Sequence, residues 1–192
     1  MSETDSVILE ATRRRLSDKQ ASTVDKLTRS AVHVLAREGF AGMTIRMVAA
    51  EAGVGTATAY TYFSSKEHLV AEIFWRRLVS APSPVSDDQD PTVRVVAELR
   101  SIAMLVADEP EFSGAVTSAL LGRDPDVEHL RGRIGAEIRK RIIRALGPDP
   151  DPDVVESLEL LYAGAMVRVG MGYGSYAEIG DRIERSALLL LR

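Results

Sequence analysis

The chain has 192 residues, which is enough to bury a sizeable core in one or two domains. Hydrophobic residues (45%) and charged residues (27%) are balanced as in soluble globular proteins, and no segment approaches the roughly 20 apolar residues that a membrane span requires. The absence of cysteine excludes disulfides and thiol catalysis, and no secretory signal is recognisable, so we expect a soluble cytoplasmic protein without a membrane partner.

The charge is unevenly distributed along the chain. The formal net charge is −4. Through Lys66, nine Lys and Arg residues stand against seven Asp and Glu, a net charge of +2, whereas the remainder has fifteen against twenty-one, a net charge of −6. This asymmetry is expected if only the front of the chain meets phosphate.

Residues 1–16 are predicted to form a flexible tail. They contain Arg13-Arg14-Arg15, which is either an arm that reaches a DNA minor groove or a solvated, mobile segment. A first helix follows, and it ends at Gly39. Its apolar face consists of Val24, Leu27, Ala31, Val34 and Leu35.

The segment Thr44–Phe63 has the pattern of two short helices joined by a tight turn. Thr44 is placed to cap the first helix, and Gly53 tolerates the positive φ that a tight turn requires. The small residues Ala49 and Ala59 would let the two helices cross closely. Such a pair is the helix-turn-helix, whose second helix can enter the major groove of DNA, about 12 Å wide.

The outward side chains of the second short helix carry hydroxyl, aromatic or methyl groups, and none is charged. Hydroxyls donate to phosphate oxygens or base edges, and the methyl groups of Thr and Ala suit the thymine methyl group. Arg46 carries a fork that matches guanine or phosphate, and Lys66 is placed to neutralise the DNA backbone. A helical hairpin packed into a larger bundle is the alternative interpretation. The outward residues are Thr56, Ala57, Thr58, Tyr60, Thr61 and Tyr62.

The back half of the chain repeats signals for the start of a helix. A capping side chain accepts from the unpaired first amides, and proline suits the first helical position. The signals are Ser64 with Glu67 in capping-box spacing, Asp90-Pro91, Pro110, Asp124-Pro125, Asp151-Pro152 and Ser175. Sustained alternation with a period of two is missing. We therefore predict an all-α protein of about nine helices.

The region Leu27–Leu78 resembles the DNA-binding region of the TetR family of bacterial regulators. The matching features are Glu38-Gly39-Phe40, Thr44-Ile45-Arg46, Val48-Ala49, Ala52-Gly53-Val54, Thr58, Tyr60, Phe63 and Ser65-Lys66-Glu67. The resemblance implies a helix-turn-helix domain over 17–66 that binds an operator as a dimer, and an effector-binding and dimerisation domain over 67–192. It implies DNA contacts from Thr44, Arg46, Thr56, Thr58, Tyr60, Tyr62 and Lys66, and the outward Ala57 is a further candidate.

Aromatic and methionine side chains in the back half are candidates for an effector pocket, although at helical spacing such residues are often plain core. The candidates are Phe74, Met104, Phe112, Tyr162 and Met166. With only 5% aromatic residues, a large pocket must be lined mainly by aliphatic side chains, which favours an apolar ligand.

The last helix has an apolar stripe that packs against a partner's helix or against the chain's own core. The stripe consists of Ile179, Ile183, Ala187 and Leu190. In the TetR family the last two helices form the dimer interface, so the resemblance favours the partner. Arg168 lies in an otherwise apolar helix, and we interpret it as a surface charge rather than a ligand partner.

An enzyme is the rival class of protein. His33, His68 and His129 are scattered without metal-ligand spacing, each is predicted to lie at the surface, and no phosphate-binding loop or nucleophile elbow is present. We therefore expect no catalytic residue, metal or cofactor. The sequence predicts a DNA-binding regulator, a repressor released from its operator by a small hydrophobic effector. The alternatives are a constitutive dimeric repressor without an effector and an all-helical enzyme.

Overall fold

The computed structural model describes residues 17–86 and 90–191, and within these ranges the chain is all-helical, as predicted. The predicted tail over 1–16, with Arg13-Arg14-Arg15, lies outside the described residues. No described helix is long and apolar enough to cross a membrane. The helices are α1 Asp18–Gly42, α2 Ile45–Glu51, α3 Thr56–Tyr62, α4 Lys66–Ser80, α5 Pro91–Met104, α6 Pro110–Leu121, α7 Pro125–Leu146, α8 Pro152–Gly170 and α9 Tyr176–Leu190.

The three predicted Asp-Pro signals begin α5, α7 and α8. In each case the carboxylate accepts from the amide two residues later, and the proline occupies the first turn. The bonds run from Thr92 N to Asp90 at 2.8 Å, from Asp126 N to Asp124 at 2.9 Å and from Asp153 N to Asp151 at 2.9 Å. These starts depend on neighbouring residues alone, which is why the sequence could predict them.

The start of α4 differs from the prediction by one residue. Ser65, not Ser64, caps the helix, because His68 N–H donates to Ser65 Oγ at 2.9 Å. Ser64 Oγ instead donates to Asp126 Oδ2 in the first turn of α7, at 2.6 Å. The two adjacent serines are similar in local spacing, and the contact with α7 distinguishes them.

Helices α1, α2 and α3 pack together at the front of the chain. The predicted apolar face of α1 is almost completely buried, with Val24, Leu27 and Val34 at 0% exposure. Gly39 has a φ of 66°, in the left-handed region, and kinks α1 before its last turn. The predicted end at Gly39 is therefore a break in the helix, which continues to Gly42.

Helix α4 connects the front of the chain to the back, since it packs against α1, α6 and α7. Helix α5 packs against α7 and α9, and α8 packs against α9. Ile179, Ile183 and Ala187 of α9 are buried within the chain's own core, whereas Leu190 is 40% exposed. Of the two alternatives predicted for this stripe, packing against the chain's own core is the one observed for Ile179, Ile183 and Ala187, because α5 and α8 of the same chain pack against α9. The partner that the resemblance favoured does not cover these three residues.

A buried ion pair joins α5, α7 and the end of α4. Glu98 accepts from Arg141 Nη1 at 2.9 Å and from Ser83 Oγ at 2.6 Å. The side chains of Glu98 and Arg141 are only 1% and 5% exposed. Arg141 Nη2 also donates to the carbonyl oxygens of Leu78 and Ala81, at 2.6 and 2.9 Å. The network therefore fastens the C-terminal end of α4 to α7.

Candidate DNA-binding surface and ligand cavity

Helices α2 and α3 form the helix-turn-helix that the sequence predicts. Met47 N–H donates to Thr44 Oγ1 at 3.3 Å, so Thr44 caps α2. Gly53 has a φ of 63° in the turn. Ala49 and Ala59, both at 0% exposure, lie in the core that α2 and α3 share. A larger side chain at either position would separate the two short helices.

The outer face of α3 is mostly open to solvent. Ala57 and Thr58 are exposed, and Tyr60 is 53% exposed. Thr56 and Tyr62 are half-buried, and Tyr62 packs against the core. The predicted outward orientation thus applies fully to Ala57, Thr58 and Tyr60 and only in part to Thr56 and Tyr62.

Two cations flank this face, and they differ in what already binds them. Arg46 is exposed and makes no hydrogen bond or ion pair with a described residue. Lys66 is half-buried, and its Nζ donates to the carbonyl oxygens of Phe40 and Ala41, at 2.7 and 3.2 Å. Its ammonium also lies 4.7 Å from the centroid of the Phe40 ring. Lys66 therefore holds the end of α1, and one of its three N–H groups remains available for a phosphate.

A polar contact connects the end of the helix-turn-helix to α7. Ser64 follows Phe63, the residue that caps the C-terminal end of α3. Its Oγ lies 2.6 Å from Asp126 Oδ2 and 3.3 Å from His68 Nδ1. His68 is only 9% exposed, and its ring meets Phe63 edge-on at 5.7 Å. The prediction of a surface histidine is therefore wrong for His68, because the first turn of α4 folds onto Phe63.

A cavity of about 320 Å³ lies between α6, α7 and α8. Phe74 of α4, Val106 in the connection after α5 and Tyr176 of α9 complete its wall. Of the predicted effector residues, Phe74, Tyr162 and Met166 line it. Most of the other lining side chains are aliphatic, and those that the sequence analysis missed include Val106, Val116, Leu120, Leu121, Ile134, Ile138 and Val167.

Met104 and Phe112, the two remaining effector candidates, do not line the cavity. Met104 is 50% exposed at the end of α5. Phe112 is 1% exposed and packs beneath the guanidinium of Arg77, which lies 4.2 Å from the centroid of its ring. Residue type alone did not distinguish cavity wall from core or surface, because that depends on how neighbouring helices pack.

The polar groups of the cavity wall are mostly uncharged. Tyr162 and Tyr176 contribute hydroxyls, and burial is the main reason why the pKa of each is raised. Arg131 and Glu159 are the charged lining residues. Arg131 Nη2 donates to the carbonyl oxygen of Gly122 at 2.8 Å, and Glu159 forms an ion pair with Arg139.

Glu72 of α4 is a second buried acid, outside the cavity wall. Its Oε1 accepts from Arg76 Nε at 2.9 Å, whereas Oε2 has no hydrogen-bond donor within the described part of the chain. Desolvation raises the pKa of Glu72 from an ordinary 4.5 to about 7, and the charge of Arg76 opposes this rise. No group of three or more potential metal ligands lies together among the residues described.

Comparison with known proteins identifies the family. Residues 27–73 match the model of the bacterial regulatory proteins of the tetR family. Over 167 residues the chain is 45% identical to uncharacterised HTH-type transcriptional regulators of Mycobacterium tuberculosis and Mycobacterium bovis, a match that covers 86% of this chain and 78% of those proteins. The chain belongs to the TetR family. It is a transcriptional regulator of the TetR type, a class defined by DNA binding rather than catalysis.

Solved TetR-type structures share the fold over most of this chain. A TetR transcriptional regulator from Rhodococcus sp. RHA1 superposes with a TM-score of 0.74 at 22% identity, covering 91% of this chain and 98% of that one. The regulator FadR from Bacillus subtilis, solved in complex with stearoyl-CoA, superposes with a TM-score of 0.63 at 13% identity and covers 85% of this chain and 96% of that one.

Proposed function

We propose that this TetR-type regulator is a repressor that binds operator DNA as a homodimer and is released by a small apolar effector. The single observation that carries the DNA-binding part is the open, uncharged outer face of α3 beside the exposed Arg46. A solvated helix face ordinarily carries charge, whereas a face of Thr, Ala and Tyr fits the floor of a groove.

The DNA contacts follow from where each side chain lies. Thr44 and Arg46, at the start of α2, face a phosphate backbone, and α3 enters the major groove. Lys66 adds one phosphate contact with its remaining N–H group. The α3 residues proposed to contact bases or phosphates are Thr56, Ala57, Thr58, Tyr60 and Tyr62.

Arg46→Ala tests this surface with duplexes selected from random sequence by the purified protein. Loss of one phosphate contact should reduce the slope of log affinity against log salt by about 1. The matched control is Arg144→Ala, an exposed arginine in the last turn of α7. Because α7 rises about 1.5 Å per residue, Arg144 lies roughly 27 Å along the helix from Asp126, whose carboxylate contacts Ser64. Identical slopes for the two variants would remove Arg46 from the interface.

Exposed apolar side chains on the last two helices support the proposed homodimer. Leu160 of α8 and Leu189 of α9 are 67% and 63% exposed, and Met171, just after α8, is 65% exposed. Ala163 and Gly164, also exposed on α8, would let a partner helix approach closely. Exposed apolar side chains on two helices that pack together are typical of protein interfaces. A twofold pairing would let two recognition helices meet grooves about 34 Å apart.

Leu160→Glu tests the dimer by sedimentation of the purified protein. A charge in an apolar interface is unfavourable, so the variant should sediment as a monomer where the wild type is a dimer. Val93→Glu is the matched control, because Val93 is 51% exposed on α5. Monomeric Val93→Glu, or dimeric Leu160→Glu, would place the interface elsewhere.

The cavity and its position support release by an effector. Helix α7 contributes Ile134 and Ile138 to the cavity wall, and Asp126 in its first turn accepts from Ser64 just after α3. A ligand that displaced α7 would therefore alter the seating of the helix-turn-helix. The effector can weaken operator binding only by as much as its own affinity differs between the two states, which is typically about 1–3 kcal/mol.

Thermal denaturation with a panel of apolar compounds tests the effector. A compound that raises the melting temperature of the wild type should also lower its operator affinity. Ile138→Trp, which would fill the cavity, should abolish the thermal shift. If the panel produces no shift, or if shifts leave operator affinity unchanged, the regulator is constitutive and the effector proposal is wrong.

A further inference from the structure

One polar group of the cavity wall is the hydroxyl of Tyr162, which belongs to a largely buried side chain of α8. The side chain is 6% exposed, and the hydroxyl makes no hydrogen bond with any described residue. In the described part of the chain, two side-chain atoms are fully enclosed without a hydrogen-bond partner, Glu72 Oε2 and Trp75 Nε1. The Tyr162 hydroxyl differs from them because it is not fully enclosed. Tyr162 lines the cavity, so a ligand there can reach a hydroxyl that is not fully enclosed. Buried hydroxyls in folded proteins are normally paired, so this one is available to a ligand.

The group that acts electrostatically on the Tyr162 hydroxyl is another hydroxyl, that of Tyr176. Tyr176 lies close enough for its hydroxyl to contribute to the raised pKa of Tyr162, and the Ser113 side chain offsets part of the effect of burial on Tyr176. A tyrosine hydroxyl is protonated at neutral pH, and burial raises the pKa of Tyr162 further, so the hydroxyl can donate to an acceptor. The remaining wall around these hydroxyls is predominantly aliphatic.

Neither charged lining residue offers a buried counter-ion. Arg131 is an exposed side chain that donates to the Gly122 carbonyl, and Glu159 is already paired with Arg139. A carboxylate drawn into the cavity would lose its hydration without gaining a buried cation, which is strongly unfavourable. An uncharged polar group meets no such penalty.

We propose that the cavity binds a small uncharged molecule with an apolar body and one hydrogen-bond acceptor, such as a ketone or ester, that accepts from Tyr162. The inference rests on the proposed effector role of the cavity and names the chemical class of the ligand. About 320 Å³ corresponds to roughly eleven water volumes, so the ligand has on the order of ten to fifteen non-hydrogen atoms.

Calorimetric titration of the full chain with methyl heptyl ketone and with nonanoate tests the class of ligand. The two probes have similar length, and only nonanoate is charged at neutral pH. The ketone should bind about tenfold or more tightly than nonanoate, the factor that corresponds to 1.4 kcal/mol. Nonanoate affinity that equals or exceeds ketone affinity would overturn the proposal, as would failure of the ketone to bind.

Tyr162→Phe tests the assigned donor, since it removes the hydroxyl and keeps the ring. Ketone affinity should fall by about threefold to tenfold, as expected for one net hydrogen bond. Tyr173→Phe is the matched control, because Tyr173 is 60% exposed and outside the cavity wall. Equal ketone affinity in Tyr162→Phe and wild type would overturn the assignment. Should Tyr162→Phe fail to fold, the preference of the wild type for ketone over nonanoate still decides the class.

Operator binding, measured on the same preparations, separates this proposal from the proposed function. Ketone binding that leaves operator affinity unchanged would refute release by an effector and support the ligand class. Loss of the ketone preference with operator binding intact would refute the ligand class and leave the DNA-binding role supported.

Discussion

Replacing Arg141 by methionine should destabilise the protein strongly, because the Arg141 side chain is a buried cation paired with a buried acid. The change keeps most of the side-chain volume but removes the guanidinium, which donates to Glu98, Leu78 O and Ala81 O. Glu98, at 1% exposure, would keep the hydroxyl of Ser83 as a donor in the network but would lose its cation. Breaking a buried pair on one side typically costs about 3–5 kcal/mol.

That loss is a large part of the total stability of a domain, which is commonly about 5–15 kcal/mol. For a chain of this size, each kcal/mol lowers the melting temperature by about 2–4 °C, so Arg141→Met should melt roughly 6–20 °C below the wild type. Denaturant unfolding of the full chain, followed by helical circular dichroism, measures the same loss as a free energy.

Arg139→Met is the matched control on the same helix. Arg139 pairs with Glu159, but its side chain is 44% exposed, so the loss should stay below about 1 kcal/mol. The double variant Arg141→Met/Glu98→Gln removes the stranded charge and should be more stable than Arg141→Met alone. Equal losses for Arg141→Met and Arg139→Met, or no recovery in the double variant, would refute the reasoning.

Three further predictions concern α4 and α8. The folded-state pKa of Glu72 is raised to about 7, so its contribution to stability is fully present below pH 4.5 and is lost as the pH rises through 7. Glu72→Gln should therefore be more stable than wild type by up to about 3 kcal/mol at pH 8 and equally stable at pH 4.5. A stability difference that does not change with pH would contradict this. Lys66→Met should lower the free energy of unfolding by about 1–2 kcal/mol, because it leaves Phe40 O and Ala41 O without their donor. The control Arg46→Met should change the free energy of unfolding by less than about 0.5 kcal/mol. Equal values for the two variants would argue against the structural role of Lys66. A methyl group at Gly170 would lie 2.4 Å from Thr117 Cγ2, so Gly170→Ala should lower the free energy of unfolding by about 1–3 kcal/mol. In Gly132→Ala of α7 the methyl group meets open space, so this variant should be neutral or more stable by up to about 1 kcal/mol. The reverse order in urea unfolding would show that Thr117 moves aside.

The outcome at α4 shows where local reasoning stops. Ser64 and Ser65 both precede helical residues, and the capping-box spacing of Ser64 with Glu67 is a sound local signal. Only the arrival of Asp126 from α7, 62 residues later, engages Ser64 and leaves Ser65 to cap the helix. The same fold buries His68, which has no local sign of burial.

Buried charges were the other group that the sequence did not reveal. Glu72, Glu98 and Arg141 lie on amphipathic helices where a charged residue ordinarily faces water. In α5 the apolar Val93 is 51% exposed, whereas the charged Glu98 faces inward. The tertiary structure explains the buried acids, because Arg76 pairs with Glu72 and Arg141 pairs with Glu98.

The sequence by itself determined the helical class, the boundaries set by Asp-Pro caps and the helix-turn-helix around Gly53, because each depends on backbone preferences and on neighbours within one or two turns. Tertiary structure alone decided which side chains line the cavity, which serine caps α4, and that the stripe on α9 packs within its own chain. Those outcomes depend on contacts between helices distant in sequence, and a helical pattern states which residues share a face without stating what will cover it.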